Sequence, residues 1–133
     1  MPITVEHVDF VTVLTRDVTE ARRFYVGTLG LALERDTPGG FEVAAGQVTL
    51  AVWDPTSIGR LFAPSGSHVA LRVPDVAAAR AELEAAGVVF EGDTLDTGVC
   101  HMAPLADPDG NALMLHRRYA PAWGVRRRPP ASP

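Results

Sequence analysis

The sequence predicts an α+β fold built from two copies of one strand–helix–strand–strand–strand unit. Three observations carry this. Asp17-Val18, followed after two residues by Ala21-Arg22, returns as Asp75-Val76 followed by Ala79-Arg80. The strand-like run Phe10-Val11-Thr12-Val13-Leu14 falls at the same offset on His68-Val69-Ala70-Leu71-Arg72. Behind each run the hydrophobic period changes from that of a strand to that of a helix and back. A repeat of this size marks a doubled structural unit.

The elements follow in order. A strand is predicted near residues 4–14. Asp17 then offers an N-cap, with Glu20 three residues on in a capping-box pattern. Val18, Ala21, Phe24, Tyr25 and Leu29 recur at helical spacing up to Gly30. A strand at 31–35, a turn at Thr37-Pro38-Gly39-Gly40, and a hairpin of 41–45 with 47–53 around Gly46 complete the first unit. In the second unit, 67–73 reads as a strand. Asp75 caps a helix whose stripe is Val76, Ala79, Leu83 and Ala86, and Gly87 ends it. Strands are predicted at 88–95, 99–105 and 111–119, with Asp107-Pro108-Asp109-Gly110 as the last turn. The whole reads as one domain over 1–120, with modules at about 4–53 and 67–119. A connector at 54–66 joins them, and a mobile Arg/Pro-rich tail spans 121–133.

Composition narrows the function. The formal net charge of −4 argues against a nucleic-acid partner. Every basic residue is arginine, which excludes a lysine Schiff base and a phosphate-loop lysine. The single cysteine, Cys100, cannot form an intrachain disulfide and suits a reducing compartment. No run approaches the ~18 apolar residues of a membrane span, and the first residues show no secretory pattern. A cytoplasmic location with no membrane contact is the expectation.

Strand alternation sorts side chains into faces. Val69, Leu71 and Val73 suit the helix side, while His68, Ala70 and Arg72 take the other. By the repeat, Phe10, Thr12 and Leu14 also turn from the helix. Matching Leu113-Met114-Leu115 to Leu50-Ala51-Val52 adds Ala51, Trp53, Met114 and His116 to that face. It is too apolar to face water without cause, so the other unit, a partner subunit or a ligand should cover it. Trp53 would offer a flat stacking surface with one indole donor; its alternative is to plug a sheet end or an interface. His68 and His116 are candidates for ligand hydrogen bonds or acid–base work. Cys100-His101 cannot pair as neighbours, because adjacent strand residues point apart, so a buried inert cysteine is the default. Asp107 and Asp109 read as turn residues, with a calcium loop as the alternative.

These stretches resemble the vicinal oxygen chelate superfamily, the glyoxalase, bleomycin-resistance and extradiol-dioxygenase group. The resemblance rests on Val8–Val13 with Asp17, on Ala21-Arg22-Arg23-Phe24-Tyr25 running to Leu29-Gly30-Leu31, on Ser67–Val73 with Asp75, and on Asp107-Pro108-Asp109-Gly110-Asn111. It implies two βαβββ modules whose curved mixed sheets enclose a cleft, and commonly a homodimer. It also implies four metal-ligand positions, which fall here on Phe10, Ala51, His68 and Met114. Only His68 suits a hard or borderline metal, and a catalytic site takes about three protein ligands. No cofactor is therefore expected. The leading expectation is metal-independent binding or sequestration of an amphipathic, partly planar small molecule, as in the antibiotic-sequestering bleomycin-resistance branch. The expected ligand contacts are Phe10, Thr12, Ala51, Trp53, His68, Met114 and His116. The alternatives are a lyase, isomerase or dioxygenase, and a non-catalytic dimeric scaffold. The enzyme would use a divalent metal on His68, His101 and His116, or His68 or His116 as acid–base.

Overall fold

The computed structural model describes residues 2–121; the expected tail lies almost wholly outside them. The chain divides into two units. The first runs to Gly66 and includes the turn Asp107–Asn111; the second holds Ser67–Ala106 and the chain from Ala112 onward. Each contains one four-stranded mixed sheet and one α-helix. No helix among the described residues is long and apolar enough to cross a membrane.

In the first unit, β1 (Phe10–Leu14) runs parallel to β4 (Val48–Trp53). β4 pairs antiparallel with β3 (Gly40–Ala45), and β3 with β2 (Ala32–Thr37). The first strand is shorter than the predicted 4–14. β4 begins at Val48 and Phe10 already pairs with Thr49, so earlier residues have almost no strand to pair with. Helix α1 (Val18–Arg22) continues as a wider π turn, Arg23–Thr28, in which Leu29 N–H donates to Phe24 O. Asp17 caps α1 by accepting from Glu20 N–H at 3.1 Å. The reciprocal half of the capping box goes elsewhere: Asp17 N–H donates to the Thr15 hydroxyl at 3.0 Å.

The core of this unit lies between the helix and one sheet face. Val13, Phe41, Val43, Leu50 and Val52 are buried beneath Ala21, Phe24 and Tyr25. Arg22 reaches from α1 across the Phe41 ring and pairs with Asp36 on β2. A polar hub completes the core. Tyr25 hydroxyl donates to Asp107 Oδ2 at 2.6 Å, and Asn111 Nδ2 donates to the same oxygen at 2.8 Å. The backbone N–H groups of Asp109 and Asn111 donate to Asp107 Oδ1. The Thr15 hydroxyl donates to Asp109 Oδ2 at 2.5 Å, and Asn111 Nδ2 also reaches Leu14 O. The two aspartates therefore spend their lone pairs on protein donors, as the turn reading requires and a calcium loop does not.

Burial, with the Asp107 carboxylate alongside, pushes the Tyr25 hydroxyl far above the ordinary tyrosine range. The unfolded chain ionises this group near pH ~10, whereas the folded chain keeps it neutral. The stabilisation is thus complete below pH ~10 and is lost above it, by about 1.4 kcal/mol per pH unit. No lysine titrates in this window. Urea unfolding between pH ~9 and ~11.5 should show this loss, and Tyr25→Phe should reduce it, leaving the part that belongs to Tyr119, whose hydroxyl the Asp96 hydrogen bond also raises.

In the second unit, β5 (Val69–Arg72) runs parallel to β8 (Ala112–Arg118). β8 pairs antiparallel with β7 (Cys100–Ala106), which pairs with the short β6 (Leu95–Asp96). Helix α2 (Val76–Ala85) starts at Asp75, whose carboxylate accepts from Ala78 N–H at 3.0 Å. It ends before Gly87, whose φ of +94° a side chain would resist. The core is Val76, Ala103, Leu105, Leu113 and Leu115. The predicted strand at 88–95 is reduced to a bridge from Phe90 to Leu105 and the two residues of β6. Gly92 takes a positive φ, and Arg80 holds the segment as a loop. Its guanidinium lies over the Phe90 ring and donates to Gly92 O and Thr94 Oγ1.

Candidate functional site

Each sheet has a helix-covered face and an open one, and the ladder registers state which residues share the open side. In the first unit, Thr12 pairs with Ala51 and Ala51 with Glu42, while Leu14 pairs with Trp53. Phe10 pairs with Thr49 two residues earlier. Phe10, Thr12, Ala51 and Trp53 therefore occupy one face, opposite α1, as the alternation predicts. Phe10 is 53% exposed, Trp53 is half-buried and Ala51 is buried among its neighbours. Sequence reasoning missed Glu42 on this face. It accepts two hydrogen bonds from Arg35, from Nε at 2.9 Å and a terminal nitrogen at 3.3 Å, which raise the Arg35 pKa above its ordinary value. That charge is thus neutralised, while on the β4 side of the face the Thr49 hydroxyl, in register with Phe10, donates to Glu34 Oε1 at 2.7 Å.

In the second unit, Ala70 pairs with Met114 and Met114 with Pro104. Arg72 pairs with His116 and His116 with Met102. This open face lies opposite the buried Leu113, Leu115, Ala103 and Leu105. Met114 and His116 are half-buried here; His68 stands exposed one residue ahead of β5, outside the ladder. The predicted equivalence holds without slippage. Ala51 stands to Thr12 as Met114 stands to Ala70, and Trp53 stands to Leu14 as His116 stands to Arg72.

The alternative metal set is corrected. His101 pairs with Arg117, one residue out of phase with His116, and so projects from the opposite face. There it meets Asp96 at 3.3 Å and lies against Tyr119, with ring centroids 4.7 Å apart. The Gly98 N–H, then the Tyr119 hydroxyl and the His101 ring, hold the Asp96 carboxyl below its usual range. His68, His101 and His116 do not converge, and among the described residues no three His, Cys, Asp or Glu side chains could hold a metal ion. Cys100 is buried and pairs in register with Arg118. The family's own four positions also fail the fit, because Phe10 and Ala51 offer no donor and Met114 offers a soft thioether.

The doubled module, its register and its two open faces define the vicinal oxygen chelate class. The family model described as Glyoxalase/Bleomycin resistance protein/Dioxygenase superfamily matches residues 7–115, and the chain belongs to that family. Among solved structures, TnmS3, an antibiotic binding protein from Streptomyces sp. CB03234, is 32% identical with a TM-score of 0.72. The match covers 88% of this chain and 99% of that one. A glyoxalase/bleomycin resistance protein from the same organism is 30% identical, with a TM-score of 0.66 over 84% of this chain and 100% of the other. A lactoylglutathione lyase from Agrobacterium tumefaciens shares the fold at 19% identity and TM-score 0.72, covering 85% of this chain and 94% of that one. The search among curated proteins finds no match.

Proposed function

We propose that this protein binds and sequesters an amphipathic, partly planar small molecule, of antibiotic type, without a metal. One observation carries the reading. The four positions at which the family would hold a metal are Phe10, Ala51, His68 and Met114, a set with a single imidazole and two side chains that cannot ligate. In the first unit, Phe10 and Ala51 put apolar surface on the same open face as the Trp53 indole, a ring suited to stacking. Likeness to an antibiotic binding protein at 32% identity supports the same direction. The proposal includes a homodimer in the cytoplasm. Exposed Ile3, Val5 and Val8 ahead of the β1 edge support the former, and a lone buried cysteine supports the latter. Sedimentation equilibrium checks the dimer.

Isothermal titration against a panel of planar aromatic antibiotics tests the binding. Trp53→Ala is expected to weaken the best ligand by about fivefold, the scale of one aromatic stacking contact. Equal affinities would remove Trp53 from the site. Elemental analysis of the purified protein should give substoichiometric zinc, iron, nickel and manganese. One tightly held equivalent would instead favour a metal-dependent lyase, isomerase or dioxygenase.

A further inference from the structure

We propose that the open face of the second unit recognises an anion: Arg72 and His116 bind a carboxylate or phenolate of the ligand, and Met102 and Met114 receive its apolar body. This rests on the small-molecule reading above and specifies the chemistry of its ligand. Register places Arg72 on β5 directly beside His116 on β8, and Met102 of β7 completes the same transverse row. The neighbouring row, Ala70, Met114 and Pro104, carries no charge. Arg118, one row further along β8, adds a second guanidinium to this end of the face.

No acid stands in the row of these cations: Glu91, which follows the Phe90–Leu105 bridge, lies beside Pro104 in the neighbouring row, at the far edge of β7 with β7 and β8 between it and Arg72. Asp96, the one acidic residue in the strands of this unit, pairs with His101 and so projects to the other side. Four other arginines find carboxylates: Arg16 meets Asp109, Arg22 meets Asp36, Arg35 meets Glu42 and Arg80 meets Glu84. Among the described residues, no ion pair or side-chain hydrogen bond engages Arg72 or His116. The repeat sharpens the contrast, since the equivalent row of the first unit is Leu14 and Trp53. The same backbone frame thus presents an apolar, aromatic row in one unit and a cationic row in the other. A guanidinium matches a carboxylate through two parallel N–H donors, and the adjacent imidazole supplies a further donor. Thioethers on flexible stems adapt to a planar hydrocarbon.

The test uses 2-naphthoate, its neutral amide and 2-naphthylmethylammonium, which share one apolar body and differ in charge. Titration calorimetry should rank the acid about fivefold above the amide, the size of an exposed charge pair, with the ammonium weakest. Met102 and Met114 stand on this face, so spectra of protein labelled with ¹³C-methyl methionine should show both shifting on addition of naphthoate. Arg72→Gln, at an exposed strand end, should lower the acid to the affinity of the amide and leave the amide unchanged. Arg72→Lys should restore part of the preference. Equal binding of acid and amide, or a preference that survives Arg72→Gln, overturns the anion site while leaving small-molecule binding intact. Absence of binding by all three compounds removes the binding reading and the anion site together.

Discussion

Asp107→Ala should cost this protein about 4 kcal/mol, because two to three buried donors would each lose an acceptor at ~1–3 kcal/mol apiece. The Tyr25 hydroxyl and the Asn111 amide converge on Asp107 Oδ2, and two backbone N–H groups converge on Oδ1. Alanine offers none of them a partner, and water reaches this site poorly, since Tyr25, Asp107 and Asn111 are all buried. At the usual entropy of unfolding the melting temperature should fall by roughly 12–16 °C. Asp107→Asn should cost about half as much. It keeps one acceptor oxygen, but turns an amide N–H₂ toward Asn111 Nδ2, which is itself a donor. Asp109→Ala should cost less than Asp107→Ala, because the Thr15 hydroxyl it releases can still donate to Asp17 O. Thermal unfolding of the three variants ranks them. If Asp107→Ala proves no worse than Asp109→Ala, the hub is not what holds this unit together.

The hub also marks where sequence reading stops. Asp107-Pro108-Asp109-Gly110 is legible as a turn because its signal is local: proline and glycine fix the backbone. The partners of those carboxylates are Tyr25 and Thr15, 82 and 94 residues away in the chain, and no local spacing announces them. The open faces were legible for a different reason. Alternation has a period of two, so one correct pairing fixes every residue on the strand, and the repeat supplied a second, independent register. The same alternation separates the histidines of a three-histidine site. His101 and His116 pair one residue out of phase across β7 and β8, a relation that only the register reveals. Arg72 was on the right face from the start. The family's ligand positions point to side chains that hold metals, and a guanidinium does not, so nothing local marks Arg72 as a site residue. The lost strand at 88–95 has a physical cause outside its own residues, since Arg80 on α2 holds Gly92 and Thr94 as a loop.

Gly40 carries the other large effect, and the sequence disguised it as the last residue of a turn. It is instead the first residue of β3, paired with Trp53 on β4. Its φ is not positive, so conformational freedom is not the reason for glycine here. Space is. A β-carbon on Gly40 would run into the Val52 carbonyl oxygen and stand 2.7 Å from both Cα and Cβ of Trp53. These are backbone and first side-chain atoms of a central strand, and they cannot swing aside as the end of a flexible side chain can. Gly40→Ala should therefore force β3 from β4 at this end, at about 2–3 kcal/mol. It should also move the indole that the proposed ligand stacks on. Two measurements separate these consequences. Urea unfolding reads the stability loss. Titration at a temperature where the variant is fully folded reads the ligand, whose affinity should fall at least as far as in Trp53→Ala, about fivefold. Gly46→Ala is the control. Its added carbon meets nothing within 4 Å, although its φ of +65° strains an L residue, so it should lose stability without losing ligand. If Gly40→Ala binds as tightly as the parent protein while Trp53→Ala does not, the close approach of β3 to β4 serves the fold and leaves the stacking surface untouched.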